Sequence, residues 1–233
     1  RLSELEYSLN KVGCKALILA KNFKNSEYFK MILSLAPEIK TSKKGKLQTK
    51  NLPQLNHVVL MDKVDESYSG VWMFEEIFNL GGDKEKQKLI EIDKKLKPDD
   101  AINIQFTSGT TGQPKGATLS HYNIVNNGSF VTGRIKLTEK DRLALPVPLY
   151  HCFGMVMGVL GAVSKGAAII FPGESFNAKE TLDVLVKEKC TALYGVPTMF
   201  VAILEELNKS SSDLSNMRTG IMAGALCPIE VMK

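Results

Sequence analysis

From Leu143 to the end of this 233-residue chain, short apolar runs alternate with amphipathic ones, and that alternation limits its possible folds more than any other feature. Leu143 to Val147, Ala167 to Phe171 and Ala192 to Tyr194 have strand length, whereas Phe153 to Val163, Thr181 to Glu188 and Thr198 to Leu207 repeat at helical spacing. Ile221 to Ala223 makes a last strand, and Pro228 opens a last helix, where proline is tolerated. Strands separated by helices need crossover connections, so the chain is predicted to be α/β, with mostly parallel sheets covered by helices.

Upstream the pattern is less regular. Leu2, Leu5, Leu9 and Val12 predict an opening helix, followed by a strand at Ala16 to Ala20 and a helix around Ser26 to Leu35. Lys40 to Leu55 is polar and lysine-rich and reads as a long loop. His57 to Met61 reads as a buried strand, and Val71 to Leu80 and Lys84 to Leu96 as helices. Pro98-Asp99-Asp100 breaks the chain before a strand at Ile102 to Phe106, which divides it into residues 1–97 and 98–233.

Composition narrows the function classes. Net charge is +5, but only 4 of the 30 basic residues are Arg. The lysines of Asp83 to Lys97 interleave with acids as on a solvated helix face, so a nucleic-acid partner is not expected. The cysteines Cys14, Cys152, Cys190 and Cys227 and the histidines His57, His121 and His151 are dispersed, which argues against a disulfide framework or a structural metal site. The longest apolar run, Cys152 to Val163, is too short to span a bilayer.

The sharpest motif is Thr107-Ser108-Gly109-Thr110-Thr111-Gly112-Gln113-Pro114-Lys115-Gly116, set between the strand ending at Phe106 and a second short strand at Ala117 to Ser120. Glycines at 109, 112 and 116 let backbone N–H groups converge on one point, and four hydroxyls accompany them. Lys115 adds a compact positive charge suited to polyphosphate, and Pro114 restricts the turn before it. The order differs from a Walker A loop, which places Lys directly after Gly and before Ser or Thr. A polar hairpin is the plain alternative; a nucleotide-phosphate loop is the reading preferred here.

This loop resembles the signature phosphate loop of the adenylate-forming superfamily of acyl-CoA synthetases, luciferases and adenylation domains. Three further stretches are similar to the medium-chain, mitochondrial type called acyl-CoA synthetase family member 2. They are Ala117 to Asn127, Pro148-Leu149-Tyr150-His151-Cys152-Phe153-Gly154 and Tyr194-Gly195-Val196-Pro197-Thr198-Met199-Phe200. The resemblance implies part of an AMP-binding N-terminal domain. It implies ATP, Mg²⁺ and coenzyme A as reactants, with an acyl-adenylate and then a thioester as products, and a mitochondrial location. It places a magnesium-holding Glu, a ribose-binding Asp and a small C-terminal lid domain with its Lys beyond Lys233, so residues 1–233 alone are not expected to make acyl-CoA. Two other readings stay open: a degenerate synthetase domain within a larger assembly, and an adenylation enzyme with an acceptor other than coenzyme A.

The same resemblance makes His151 a gate beside the carboxylate substrate and sets Gly224 and Ala225 beside adenine. Taken as residues alone, His151 reads first as a histidine bonded within the core or a loop, and Gly224 also fits a tight turn from strand to helix. Gly154, Gly158 and Gly161 each cost their helix roughly 1 kcal/mol against Ala. They make space for an acyl chain, each buried CH₂ contributing about 0.8 kcal/mol, or they permit close packing. Thr198 is a pocket candidate or a helix cap.

Overall fold

The structure, a computed structural model, describes residues 1–63, 68–107 and 113–232. Its elements group into two compact units, one made of residues 1–97 and 104–118, the other of 98–103 and 119–233.

In the first unit, α1 (Leu2–Lys11), β1 (Ala16–Leu19), α2 (Tyr28–Leu35), β2 (His57–Leu60) and β3 (Val71–Met73) surround one core. The sheet order is β1-β2-β3 and every pairing is parallel, with Leu17 opposite Val58 and Val59 opposite Trp72. Segment 40–55 is the loop its composition suggests, yet Leu47, Leu52 and Leu55 are buried in that core. Three leucines thus pin a lysine-rich loop, in which Lys40, Lys43, Lys46 and Lys50 stay exposed and half-buried Lys44 bonds the Glu76 carboxylate at 2.6 Å. Val71 to Leu80 differs from the helix expected there. Val71-Trp72-Met73 extends the sheet, and only α3 (Phe74–Ile77) is helical. A β-branched residue and an aromatic pair well along β2, and the ladder bonds to β2 decide the strand. α4 (Asp83–Asp93) follows, its Gly82 N–H donating to the Glu85 carboxylate at 2.9 Å. β4 (Ala101–Thr107) and β5 (Lys115–Ser120) form a two-stranded sheet around the glycine-rich loop.

The second unit is the alternating one. α5 (His121–Arg134) precedes β6 (Arg142–Ala144); a π-helix (Phe153–Leu160) and α6 (Gly161–Lys165) lead to β7 (Ala168–Ile170). α7 (Ala178–Lys187), β8 (Ala192–Gly195), α8 (Pro197–Leu207), β9 (Thr219–Met222) and α9 (Ile229–Met232) complete it. The sheet order is β7-β6-β8-β9, all parallel.

Side chains of the strands alternate between two cores, as the strand period of two requires. Leu143, Leu145, Ala192 and Tyr194 pack with Phe153, Ala162 and Leu137 on one face, whereas Ala144 and Leu193 pack with Leu182, Leu185 and Ile203 on the other. The connection from β6 to β7 therefore crosses the first face, and those entering and leaving β8 cross the second. Crossovers running in opposite directions on opposite faces share one hand, as parallel units do. α5 was not anticipated, because Asn123, Asn126, Asn127, Gly128 and Gly133 are poor helix formers. Its start is fixed by a reciprocal cap. Ser120 N–H donates to Asn123 Oδ1 at 2.9 Å, and Asn123 N–H donates to Ser120 Oγ at 3.3 Å.

Candidate functional site

β6 and β8 are neighbours, but the chain leaves β6 toward β7 and leaves β8 toward β9. A parallel sheet binds ligands where successive connections diverge in this way, in the crevice beyond the carboxyl ends of the two strands. The segments emerging there are Leu145 to His151 after β6 and Val196-Pro197-Thr198 after β8, with Ala223-Gly224-Ala225 beside them after β9. The topology thus gathers His151, Thr198, Gly224 and Ala225, which lie far apart in sequence, along one sheet edge.

Each segment has its own local logic. His151 is exposed, and its Nδ1 accepts the Phe153 N–H at 3.1 Å. That N–H is one of the unsatisfied donors at a helix start, so the imidazole acts as a side-chain cap. In the neutral ring the bond puts the proton on Nε2, leaving a donor for a second partner. Tyr150, beside it, is 81% exposed. Thr198 is exposed in the first turn of α8, but Val196 stands at the cap position and no side-chain cap bond is formed. Capping is therefore not what Thr198 does. Gly224 takes φ +91°, a left-handed conformation open mainly to glycine, and a Cβ there would lie 3.2 Å from Val196 Cγ1. Backbone of the β9 turn thereby lies against the β8 turn.

Gly154, Gly158 and Gly161 are packed. A Cβ on Gly154 would stand 2.3 Å from the Pro148 carbonyl oxygen, on Gly158 2.6 Å from Leu145 Cδ1, and on Gly161 2.6 Å from Thr132 Cγ2. Close packing accounts for all three, and Gly154 in addition borders the turn that carries His151.

One neighbour of these turns was passed over in the sequence. Tyr194, at the carboxyl end of β8, is fully buried and stacks on Phe153 with centroids 5.7 Å apart. Burial pushes its phenol up to about 12. Its signal was a polar-tipped ring inside an otherwise apolar strand. Cys190, buried below the same sheet, has its thiol pushed up to about 11 by burial and is no nucleophile at neutral pH.

The glycine-rich motif belongs to the first unit. Ser108, Gly109, Thr110, Thr111 and Gly112 lie outside the described residues. At the base of the loop, Thr107 Oγ1 donates to the Lys115 carbonyl at 3.4 Å, and a Cβ on Gly116 would lie 3.0 Å from Ile104 Cγ2. Gln113 and Lys115 are exposed, Pro114 is half-buried, and Lys115 has no ion-pair partner among the described residues. An exposed ammonium with no ion-pair partner among the described residues is suited to a phosphate group. Among the described residues no His, Cys, Asp and Glu side chains group to hold a metal ion, and no helix is long and apolar enough to cross a membrane.

Comparison with known proteins gives this geometry a family. The AMP-binding enzyme family model matches residues 1–233. The mitochondrial medium-chain acyl-CoA ligase ACSF2 of Macaca fascicularis is 44% identical over 236 residues, covering 99% of this chain and 38% of that protein. Its counterpart in Danio rerio is 43% identical, over 100% of this chain and 38% of its own. The putative acyl-CoA synthetase YngI of Bacillus subtilis (strain 168) is 41% identical, over 99% of this chain and 41% of its own. The chain thus spans about two fifths of the length of these curated relatives. Among solved structures, the anthranilate CoA ligase AuaEII in complex with anthranoyl-AMP superimposes with a TM-score of 0.76 at 24% identity, over 99% of this chain and 40% of that one. ATP-bound MatB from Rhodopseudomonas palustris does so with 0.64 at 20% identity, over 97% and 38%. Identities that low speak for the fold, and the family match and the closer relatives carry the rest: this chain belongs to the AMP-binding enzyme family.

Proposed function

We propose that the protein containing this chain activates an aliphatic, medium-chain carboxylic acid with ATP and passes the acyl group to coenzyme A. The observation that carries this reading is the gathering of His151, Thr198 and Gly224 at the β6/β8 divergence, in a chain 44% identical to a medium-chain acyl-CoA ligase. In the first half-reaction a carboxylate oxygen attacks the α-phosphorus of ATP, and the bond to the bridging oxygen breaks to release pyrophosphate. In the second, the thiol sulfur of coenzyme A attacks the acyl carbonyl; AMP leaves and the thiol proton passes to solvent. Mixed anhydride formation turns a poor leaving group into a good one.

The chain's own residues supply position and charge. Lys115 and the Thr107 to Gly116 backbone hold the phosphates, with Mg²⁺ arriving on ATP. Gly224 and Ala225 let backbone lie against the adenine. His151, its Nδ1 committed to the Phe153 N–H, offers Nε2–H to the acid. Bringing two anions together is chiefly electrostatic and positional work. A mitochondrial location is the corresponding expectation for the parent protein.

The test is ATP–pyrophosphate exchange by the complete gene product over a panel of carboxylic acids of increasing length. Exchange should peak with medium-chain acids. Lys115→Ala should lower it about 100-fold or more while shifting the melting midpoint by no more than about 2 °C, as expected for an exposed side chain. Exchange that persists unchanged in Lys115→Ala would refute the assignment of the loop.

A further inference from the structure

Two features of the β6/β8 region are not accounted for by packing. Phe153–Leu160 winds as a π-helix for eight residues, where π geometry ordinarily occupies a single turn and marks functional positions. In contact with it, Tyr194 is fully buried, its ring stacked on Phe153 with planes 18° from parallel. Among the described residues its hydroxyl has no hydrogen-bond partner. A buried phenol without a partner is unfavourable, and phenylalanine would fill the same space without that penalty. A rare helix geometry and an orphaned hydroxyl in direct contact have one common explanation: a second state of the segment in which both are relieved.

The geometry of that state follows from the winding. A π-turn holds roughly one residue more than an α-turn. Tightening the segment into α-turns therefore swings Phe153 around the helix axis and off the Tyr194 ring. The far end stays anchored, because Gly158 is seated against Leu145 and Gly161 against Thr132; the near end, where Gly154 is seated against the Pro148 carbonyl, moves as one piece with that turn. The near end carries His151 with it, through the bond from the Phe153 N–H to the imidazole. Moving Phe153 opens space beside Tyr194 at the carboxyl end of β8, next to the turn where the acid's carboxyl group is placed by the proposed function, on which this inference rests.

We propose that Phe153–Leu160 is a two-state segment whose α-register is taken up when the acyl group binds, and that the Tyr194 hydroxyl then donates a hydrogen bond to an acyl oxygen. The phenol keeps its proton to about 12, so it is a donor at every working pH. Specificity follows as well, since only an acid able to occupy the space left by Phe153 holds the segment in that register.

The experiment is Tyr194→Phe in the complete gene product, with a non-hydrolysable decanoyl-adenylate analogue as the probe. Loss of a hydroxyl that is orphaned in the resting state should raise the melting midpoint of the ligand-free protein by about 1–3 °C. The same change should weaken probe binding about 5- to 20-fold, with ATP binding within about twofold of wild type. A merely structural tyrosine moves both readouts in the same direction. Phe153→Leu keeps most of the apolar volume without the ring stack and should bind the probe about threefold more tightly, by favouring the open register. Hydrogen exchange at residues 153–160 should change on adding the probe and not on adding ATP alone. A wild-type protein that binds the probe, beside a Tyr194→Phe variant that binds it equally and melts lower, removes this inference and leaves the proposed function standing. A wild-type protein that binds no probe removes the proposed function, and the inference with it.

Discussion

At the amino end of the β7-β6-β8-β9 sheet, Asp141, Thr191 and Arg218 each stand one residue before a strand, and their side chains close on one another. At the carboxyl end of the same strands, Tyr150, Thr198 and Gly224 lead turns that remain exposed. Asp141 is 3% exposed. It accepts hydrogen bonds from Thr191 Oγ1 at 2.6 Å, Thr138 N at 2.7 Å and Arg218 Nε at 2.9 Å, and forms an ion pair with Arg218 Nη2. Arg142, next in sequence, bonds the Glu188 carbonyl at 2.6 Å and its carboxylate at 2.5 Å. One end is saturated with mutual bonds, and the other leaves its polar groups available. The same three strands, β6, β8 and β9, therefore carry stability at one end and binding capacity at the other, a division that parallel sheets permit because all their strands point one way.

The largest expected effect tests the saturated end. Asp141→Asn leaves Arg218 without its ionic partner, keeping only the bond to the Lys136 carbonyl. Breaking a buried pair costs about 3–5 kcal/mol; with Arg218 42% exposed, screening lowers that to about 2–3 kcal/mol. In a chain of this size the melting midpoint should fall by about 4–12 °C. Acid dependence gives a second readout. Burial alone would raise the Asp141 pKa, but bonds from Arg218, Thr191 and Thr138 outweigh it and hold the carboxyl well below the usual carboxylate range. The contribution is thus fully present above the unfolded pKa, near 4, and is lost as pH falls below it toward the lower folded value. Asp141→Asn should flatten that acid limb of the stability curve measured by urea unfolding. An Asn variant as stable as wild type at pH 7 would dissolve the contrast between the two ends.

An intermediate effect is expected where packing and site meet. Gly154→Ala sets a Cβ 2.3 Å from the Pro148 carbonyl oxygen, and backbone there has no flexible side-chain end to give way. Overpacking of this kind costs about 1–3 kcal/mol. Thermal unfolding should show a drop of several degrees, and ATP–pyrophosphate exchange should fall for acids of every length, because the turn holding His151 shifts. If Gly154 instead keeps room for an acyl chain, Ala would leave stability alone and shorten the optimal acid.

How much of this was legible in the sequence depends on the range of the interaction. The alternation from Leu143 onward was enough to read the parallel sheet, since each crossover there is local and its periodicity is clean. Val71-Trp72-Met73 was misread because its strand character comes from β2, more than ten residues upstream. α5 was invisible because its asparagines and glycines argue against a helix, whereas packing of Gly128 against Val156 O and Gly161 requires small residues there. At the site, His151, Thr198 and Gly224 could be named from motifs, but their shared edge is a property of strand order. Asp141 and Arg218 drew no notice, being 77 residues apart and ordinary in isolation. The hydroxyl of Tyr194 is orphaned by its surroundings, which no local pattern reveals.

Of these three variants the smallest stability effect should come from His151, the residue proposed to meet the acid. His151 is exposed, and its Nδ1 accepts the Phe153 N–H at 3.1 Å, with the Cys152 thiol 3.8 Å away. Deleting a side-chain cap costs about 0.5–1 kcal/mol in a helix that packing already secures, so His151→Ala should lower the melting midpoint by only about 1–4 °C. His151→Asn keeps an acceptor at the helix start and should recover most of that loss. Neither variant restores an Nε2–H in the same place, so both should lower adenylate formation by the same order, about tenfold or more. A split of this kind, with stability rescued by Asn and activity not, would separate the cap from the donor. It would also locate function at the open edge of the sheet independently of any motif. Rescue of both by Asn would make His151 a helix cap and nothing else, and the acid would then need another donor from the β8 or β9 turn.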